Sequence, residues 1–358
     1  MHRNNDRPII GLRIKSAIYS SSTLCILLGI LLLFATANYV FMDYNFLSAT
    51  NLSVIINQAS FLAMLGVAQI LTMLVGGVNL SIGATMTFTT VLFGPLLVES
   101  AGQSPFLAPV LMILVGCVIG AVNGVLIAKF KLPAFIVTFS IMYVLRGAAW
   151  LIVGKTVYFQ INEEIRLLSQ KQIFNFENFY INMPTLICFI IIAGFSLLLR
   201  RTVFGHKMYF TGANPTAARF SGISADRIII IMYVLSGALS AFCGVMYAAR
   251  VNACDGSMYT KSHFDALTVA LISGASMRGG FGSVWGCALG ALIISVIQSG
   301  MNTLKIQSEL QTLVLGVFLI LSVFINDSLI NKRIEISGLL TLGSQSNIKK
   351  EAKLEGLK

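Results

Sequence analysis

The stretch Arg200 to Arg227, RRTVFGHKMYFTGANPTAARFSGISADR, separates two apolar runs: Phe189 to Leu199 (FIIIAGFSLLL) and Ile228 to Ala249 (IIIIMYVLSGALSAFCGVMYAA). Its flanks are too apolar for water, and its own arginines and lysine are too polar for hydrocarbon. The chain therefore reads as membrane-spanning segments joined by polar connections, and this connection is the one richest in basic residues.

Composition extends that reading outward. Of 358 residues, 56% are hydrophobic and only 11% charged, with a mean hydropathy of +0.84. A water-soluble domain carries roughly a quarter charged residues, so the chain is an integral membrane protein. Its formal net charge of +11 does not point to nucleic acid, which needs a basic face; here the charges fall in the connections. The cysteines Cys25, Cys117, Cys188, Cys243, Cys254 and Cys287 are scattered with no CxxC pair. They read as small apolar fillers, with neither a disulfide framework nor a metal site.

Ten spans are expected, at 17–42, 52–75, 83–98, 107–128, 134–154, 181–199, 228–250, 265–277, 282–303 and 308–326. The first follows Arg3, Arg7, Arg13 and Lys15 and contains Ala35-Thr36-Ala37, as a cleavable signal peptide would. Its apolar character continues to Met42, which favours an uncleaved span. The third and eighth are short and are expected to be tilted, broken or re-entrant, tolerable only where protein satisfies the backbone.

With both termini in the cytoplasm, 18 of the 25 basic residues fall in inner segments, as the positive-inside rule requires. Three parts result: a cytoplasmic segment 1–16, a transmembrane region 17–326, and a basic cytoplasmic tail 327–358. The large outer loop, 155–180, places Ile161, Ile165 and Leu168 at helical spacing beside Glu163 and Glu164. It reads as a short helix on the outer face, either a solvated connector or a contact surface.

Small residues let helices approach in lipid, and the chain has 31 glycines. Gly116 and Gly120, and Gly282, Gly286 and Gly290, recur at four-residue spacing and are read as packing positions. More specific is Gly76 to Gly83, GGVNLSIG, which interrupts two apolar runs. Its Asn79 and Ser81 can cap a helix starting near Gly83. Its plainer reading is a tight inner loop. Asn123, and Pro133 at the start of a span carrying Phe135 and Thr138, add polar and aromatic groups. Arg146 lies inside a span, where it must meet helix-end carbonyls, other protein or a polar solute.

The absences are informative. The sequence has no phosphate loop, dinucleotide fingerprint or HExxH motif, and His2, His206 and His263 lie far apart. Asp43, Glu99 and Asp265 fall near outer ends of spans, leaving no carboxylate deep in the bilayer for proton coupling. A membrane-embedded enzyme is thus disfavoured, and uphill transport would draw its energy from a partner.

Within the basic stretch, Asn214 can cap, Pro215 suits a first helical position and Gly222 can terminate, so Pro215 to Ser221 reads as two helical turns. Ala217, Phe220 and Ile223 recur every third residue, giving an apolar ridge beside Arg219. Such a ridge fits a groove on another protein; an ordinary connector would look similar.

Five ordered motifs then carry a resemblance: GGVNLSIG at 76–83, NGVLIAKFKLPAFIVT at 123–138, LRG at 145–147, FGHKMYFTGANPTAARFSGI at 204–223 and GGFGSVWGCALGA at 279–291. Over roughly residues 17 to 326 the chain resembles the permease subunits of bacterial ribose-type ATP-binding-cassette sugar importers. The resemblance implies an all-α protein of the bacterial inner membrane that pairs with a second permease copy or homologue. It also implies a periplasmic sugar-binding protein outside and a cytoplasmic ATPase inside, which alone uses ATP, so the chain is no enzyme and needs no cofactor. Asn214, Pro215, Ala218, Arg219, Phe220, Ser221 and Gly222 would form the coupling element contacting that ATPase. Candidate solute contacts are Asn79, Ser81, Asn123, Phe135, Thr138 and Arg146. The chain departs from the family at Asn79, where Asp is usual, and at His263, where an acidic residue is usual, and both departures bear on which sugar or sugar-like solute is moved. The competing reading is a self-sufficient secondary carrier or channel, since spans one to five and six to ten begin on opposite sides and an inverted repeat is conceivable.

Overall fold

The computed structural model describes residues 26–42, 45–98, 104–154 and 156–324. The expected N-terminal segment 1–16, the basic tail 327–358 and the first residues of the opening span lie outside them. The elements run α1 (Ile26–Met42), α2 (Ala49–Leu74), α3 (Ile82–Leu92), α4 (Gly94–Val98), α5 (Leu107–Ala128), α6 (Ala134–Val153), β1 (Tyr158–Phe159), α7 (Glu163–Gln170), β2 (Gln172–Phe176), β3 (Phe179–Asn182), α8 (Met183–Arg201), α9 (Val203–Ala213), α10 (Pro215–Phe220), α11 (Ala225–Val251), β4 (Ala253–Cys254), α12 (Ser262–Ile272) and α13 (Val284–Thr303). A last helix, α14, covers Ser308–Phe324.

Each expected span overlaps one of these helices, except that the third, 83–98, is split between α3 and α4, and the eighth, 265–277, outruns α12, which ends at Ile272. Among the described residues, six are long and apolar enough to cross a membrane (α2, α5, α6, α8, α11 and α13), while α1, α3, α12 and α14 are shorter apolar helices. The chain is a multi-pass helical membrane protein. With 11 residues each, α3 and α12 rise only about 16 Å, half the ~30 Å apolar thickness of a bilayer. Protein encloses both: α3 packs among α5, α6 and α11, and α12 between α2 and α13. Their first turns meet inside the bundle, where a Cβ on Gly83 would lie 2.4 Å from the Tyr259 carbonyl oxygen.

Helix α2 is the hub. Its most apolar stretch is 83% buried, against 33% for α5 and α6 and 28% for α8, so its Met64, Leu65, Ile70 and Leu71 form the core while the other three show broad faces outward. Helices α5 and α11 form the tightest pair. A Cβ on Gly116 would lie 2.5 Å from the Gly237 carbonyl oxygen, and one on Gly120 only 2.2 Å from that of Tyr233. Gly124 continues the seam against Ile230, so the four-residue glycine repeat is a packing seam, as small residues in lipid require. Gly286 and Gly290 do the same for α13, approaching the carbonyls of Ser273 and Val269 on and beside α12.

Three helices stop in one way. Gly76, Gly222 and Gly274 take left-handed φ values of 81°, 77° and 84°. In each case the next N–H reaches back five residues: Gly77 to Thr72, Ile223 to Ala218 and Ala275 to Ala270. This closure satisfies the last carbonyls of α2, α10 and α12 and turns the chain sharply.

The expected outer helix is α7, with Ile161 and Ile165 buried. The structure adds strand to an architecture expected to be purely helical: β1 pairs with β4, and β2 with β3, both antiparallel. The hairpin went unannounced because its turn at Glu177–Asn178 puts a glutamate at φ 52°, where glycine would have flagged it. Strand β3 is held to α2 by Tyr180 N–H on Ser53 Oγ and Asn182 N–H on Asn57 Oδ1, both 2.9 Å.

Candidate functional site

At one end of the bundle, α10 stands as a six-residue helix. The Asn214 side chain caps it, accepting the Ala217 N–H at 3.0 Å, and Pro215 opens it where a missing N–H costs nothing. Ala218 is buried and Phe220 is 89% exposed. The expected apolar ridge is corrected here. The left-handed turn at Gly222 carries Ile223 back to pack on the main core, so Phe220 projects alone. Arg219 is not a free charge beside it: its Nη2 lies 2.7 Å from Asp226 Oδ1, an oxygen that also takes Lys131 Nζ at 2.8 Å.

The base of α10 is fixed through backbone. A Cβ on Gly212 would sit 1.8 Å from the Leu74 carbonyl oxygen and 2.7 Å from Gly280 N, and Gly280 N itself donates to that Leu74 oxygen at 2.9 Å. Gly279, at φ 88°, closes the set: its Cβ would lie 2.6 Å from the Gly212 oxygen and 2.8 Å from Gly76 N. Tyr209 braces the joint by donating to the Gly282 carbonyl at 3.1 Å. The end of α9, the α2–α3 break and the α12–α13 break are therefore one backbone-to-backbone joint.

From that joint the α2–α3 break runs into a buried polar knot. Asn79 Oδ1 accepts the Ser81 N–H at 3.0 Å and the Ser81 hydroxyl at 2.7 Å, and Asn79 Nδ2 donates to Ser236 Oγ on α11 at 3.0 Å. Asn123 Nδ2 on α5 donates to Ser81 Oγ at 3.0 Å. Gln69 on α2, with its amide turned to match its neighbours, donates to the Asn79 carbonyl at 2.9 Å and accepts its N–H at 3.3 Å. Ser81 thus spends its hydroxyl on Asn79 and does not cap α3; the capping role expected of it and Asn79 is replaced by a cross-link among α2, α5 and α11. A buried polar network holds geometry when every group is met, and here the Asn123 carbonyl oxygen alone of these side chains is without a partner.

The remaining candidates separate. Thr138 is buried on α6, its hydroxyl shared between the Ala134 carbonyl of its own helix at 2.9 Å and the Val78 carbonyl at 3.1 Å, a contact that joins α6 to the break. Phe135, three positions earlier, is 59% exposed, at the head of an exposed stripe in which Phe135 stacks on Phe139 at 5.7 Å and Phe139 meets Tyr143 edge-on at 5.0 Å. Arg146 donates to the Thr260 carbonyl at 2.7 Å, in the turn that precedes α12, and not to the free carbonyls at a helix end. The structure thus brings Asn79, Ser81 and Asn123 together, ties Thr138 to their segment, and leaves Phe135 and Arg146 apart. Sequence reading missed Gln69 and Ser236, whose signal was a polar side chain in the middle of an apolar run. It also missed Asp226, whose partners lie 7 and 95 positions away.

The family described as "branched-chain amino acid transport system / permease component" matches residues 51–323. Among curated proteins, the chain is 29% identical over 321 residues to the fructose import permease protein FrcC of Rhizobium meliloti, covering 86% of each chain. It is 30% identical to the ribose import permease protein RbsC of Escherichia coli K12, over 79% of this chain and 87% of that one. It is 29% identical to the autoinducer 2 import system permease protein LsrC of Escherichia coli SMS-3-5, over 82% and 83% respectively. No solved structure matches the chain.

Proposed function

The chain belongs to the family of permease components of branched-chain amino acid transport systems, and from that membership, with relatives that import fructose and ribose, we propose that it is the membrane subunit of a sugar importer. It moves a sugar or sugar-like solute inward across the bacterial inner membrane, with both termini in the cytoplasm and ten spans in all. A separate ATP-binding-cassette ATPase drives it from inside, a binding protein delivers solute from outside, and a second permease copy or homologue completes the path.

The observation that carries the mechanism is the continuity between Phe220 and the polar knot. An exposed aromatic on a capped helix suits a groove on the ATPase. Behind it, the joint of Gly212, Leu74, Gly76, Gly279 and Gly280 leaves no gap to absorb displacement. Closure of the ATPase pair moves α10, and the joint passes that movement to both chain breaks. Coupling then requires only that the ATPase contact the two arrangements of α10 differently.

The solute contacts divide accordingly. Asn79, Ser81, Asn123 and Thr138, buried and bonded to their own chain, brace the break against α5, α6 and α11. Phe135 and the aromatic stripe behind it face outward from the subunit, and aromatic faces suit the apolar side of a sugar ring. A path along this stripe binds weakly, because a conduit must release what it admits.

Reconstitution tests the reading. The purified chain alone in vesicles should pass no labelled ribose or fructose, and adding the ATPase, binding protein and ATP should produce uptake. Flux through the chain alone would make it a self-sufficient carrier and end the proposal.

A further inference from the structure

The joint of glycines is one connection from α10 to the rest of the subunit; Asp226 makes a second. Its Oδ1 receives Arg219 Nη2 from α10 at 2.7 Å and Lys131 Nζ from the α5–α6 turn at 2.8 Å. A single carboxylate oxygen, at the first turn of α11, therefore pins two elements that share no other ion pair among the described residues. Lys131 holds an unusual backbone to do this: its φ is 57°, in the left-handed region disfavoured for a side-chain-bearing residue. In that pose its ammonium also meets the Ala128 carbonyl that ends α5. Two residues further on, Pro133 leads into α6, whose Thr138 holds the Val78 carbonyl of the α2–α3 break.

All three charged side chains are substantially exposed, 41% for Asp226, 45% for Arg219 and 54% for Lys131. Ion pairs so placed add little to stability. What they fix is relative position, since a carboxylate shared by two cations restrains both.

We propose that Asp226 is a positioning residue for coupling, locking α10 to the α5–α6 turn so that movement of α10 carries α6 with it. This rests on the reading of α10 as the ATPase contact. Without Asp226, α10 still moves on its glycine joint, and α6 is reached only indirectly, through the Thr138 contact with the Val78 carbonyl of the break, so α10 and α6 no longer move as one.

The test uses the full chain assembled with its ATPase in vesicles. Nitroxide labels are introduced at Thr216 on α10 and Ile136 on α6, both exposed, and their separation is measured by pulsed electron resonance without nucleotide and with ATP and vanadate. In the native chain the separation should stay narrow and unchanged while α10 shifts relative to the ATPase. In Asp226→Asn it should broaden or change with nucleotide, in Asp226→Glu it should return toward native, and the thermal midpoint should stay within a few degrees in both. An Asp226→Asn separation indistinguishable from native, or a loss of folding in that variant, overturns the inference. Phe220→Asp, followed by the distance from the Thr216 label to one on the ATPase, separates the two claims. If α10 still responds to nucleotide in that variant, the reading of α10 has failed; if it does not, while Asp226→Asn behaves as native, only the role of Asp226 has failed.

Discussion

Gly212 lies so close to Leu74 that a Cβ on it would stand 1.8 Å from the Leu74 carbonyl oxygen, a position already occupied by that oxygen's hydrogen bond from Gly280 N at 2.9 Å. No side chain can enter there without parting the α9 end from the α2–α3 break.

Gly212→Ala should therefore destabilise the protein by about 1–3 kcal/mol or more, as overpacking does, and should abolish sugar uptake. Gly194→Ala on α8 is the control, because nothing lies within 4 Å of its Cβ. Removing a glycine from a helix interior there should be neutral or stabilising by up to ~1 kcal/mol. Thermal unfolding of the two variants in the same detergent checks the opposite signs.

Phe220→Asp changes a side chain that is 89% exposed, so its stability should stay within about 0.5 kcal/mol of native. Uptake in the reconstituted importer should nonetheless disappear, with ATP hydrolysis no longer responding to the permease. Normal uptake by this variant would remove α10 from the mechanism.

Asn79→Ala should remove the acceptor of the Ser81 N–H and O–H and the donor to the Ser236 oxygen, all in a buried setting, while Asn123 still donates to Ser81. Orphaned polar groups of this kind cost about 1–3 kcal/mol. Asn79→Asp should be milder, because a carboxylate still accepts both Ser81 donors and the Ser236 hydroxyl can turn to donate. Ranking the two unfolding midpoints tests the order.

Arg146→Met keeps length and apolar bulk but loses the bond to the Thr260 carbonyl. A charged hydrogen bond contributes about 1.5–3 kcal/mol when shielded, but this one is exposed, so stability should fall by less than about 1.5 kcal/mol. Faster amide exchange should appear in residues 255–263, just before and into α12, and α10 should be unaffected.

Much of this was legible because hydrophobicity and glycine spacing are local signals. The apolar runs placed every long helix, and Asn214, Pro215 and Gly222 marked the ends of α10 to within a residue of Pro215–Phe220. What could not be read was anything set by residues distant in sequence. The Ala217, Phe220 and Ile223 spacing suggested one ridge, yet the turn at Gly222 broke the helical period before Ile223. Asn79 and Ser81 looked like caps because the groups that hold them, Gln69 and Ser236 for Asn79 and Asn123 for Ser81, lie on α2, α11 and α5. Thr138 and Phe135, three positions apart and so only about 60° around α6, fall on either side of the line between its buried and exposed surfaces. The hairpin at Gln172–Asn182 lacked the glycine that would have announced it.

The joint where α9 meets both chain breaks is built of carbonyls, amides and α-carbons. Side chains elsewhere can change rotamer and soak up a small displacement as slack; this contact has none to change. If α10 is driven as proposed, the joint would work like a gear without backlash, in which the smallest input stroke is also an output stroke. The same construction insulates the stroke from drift. On the proposed mechanism, substitutions on the outward face of α6 would retune what the subunit carries while the stroke that drives it keeps its length.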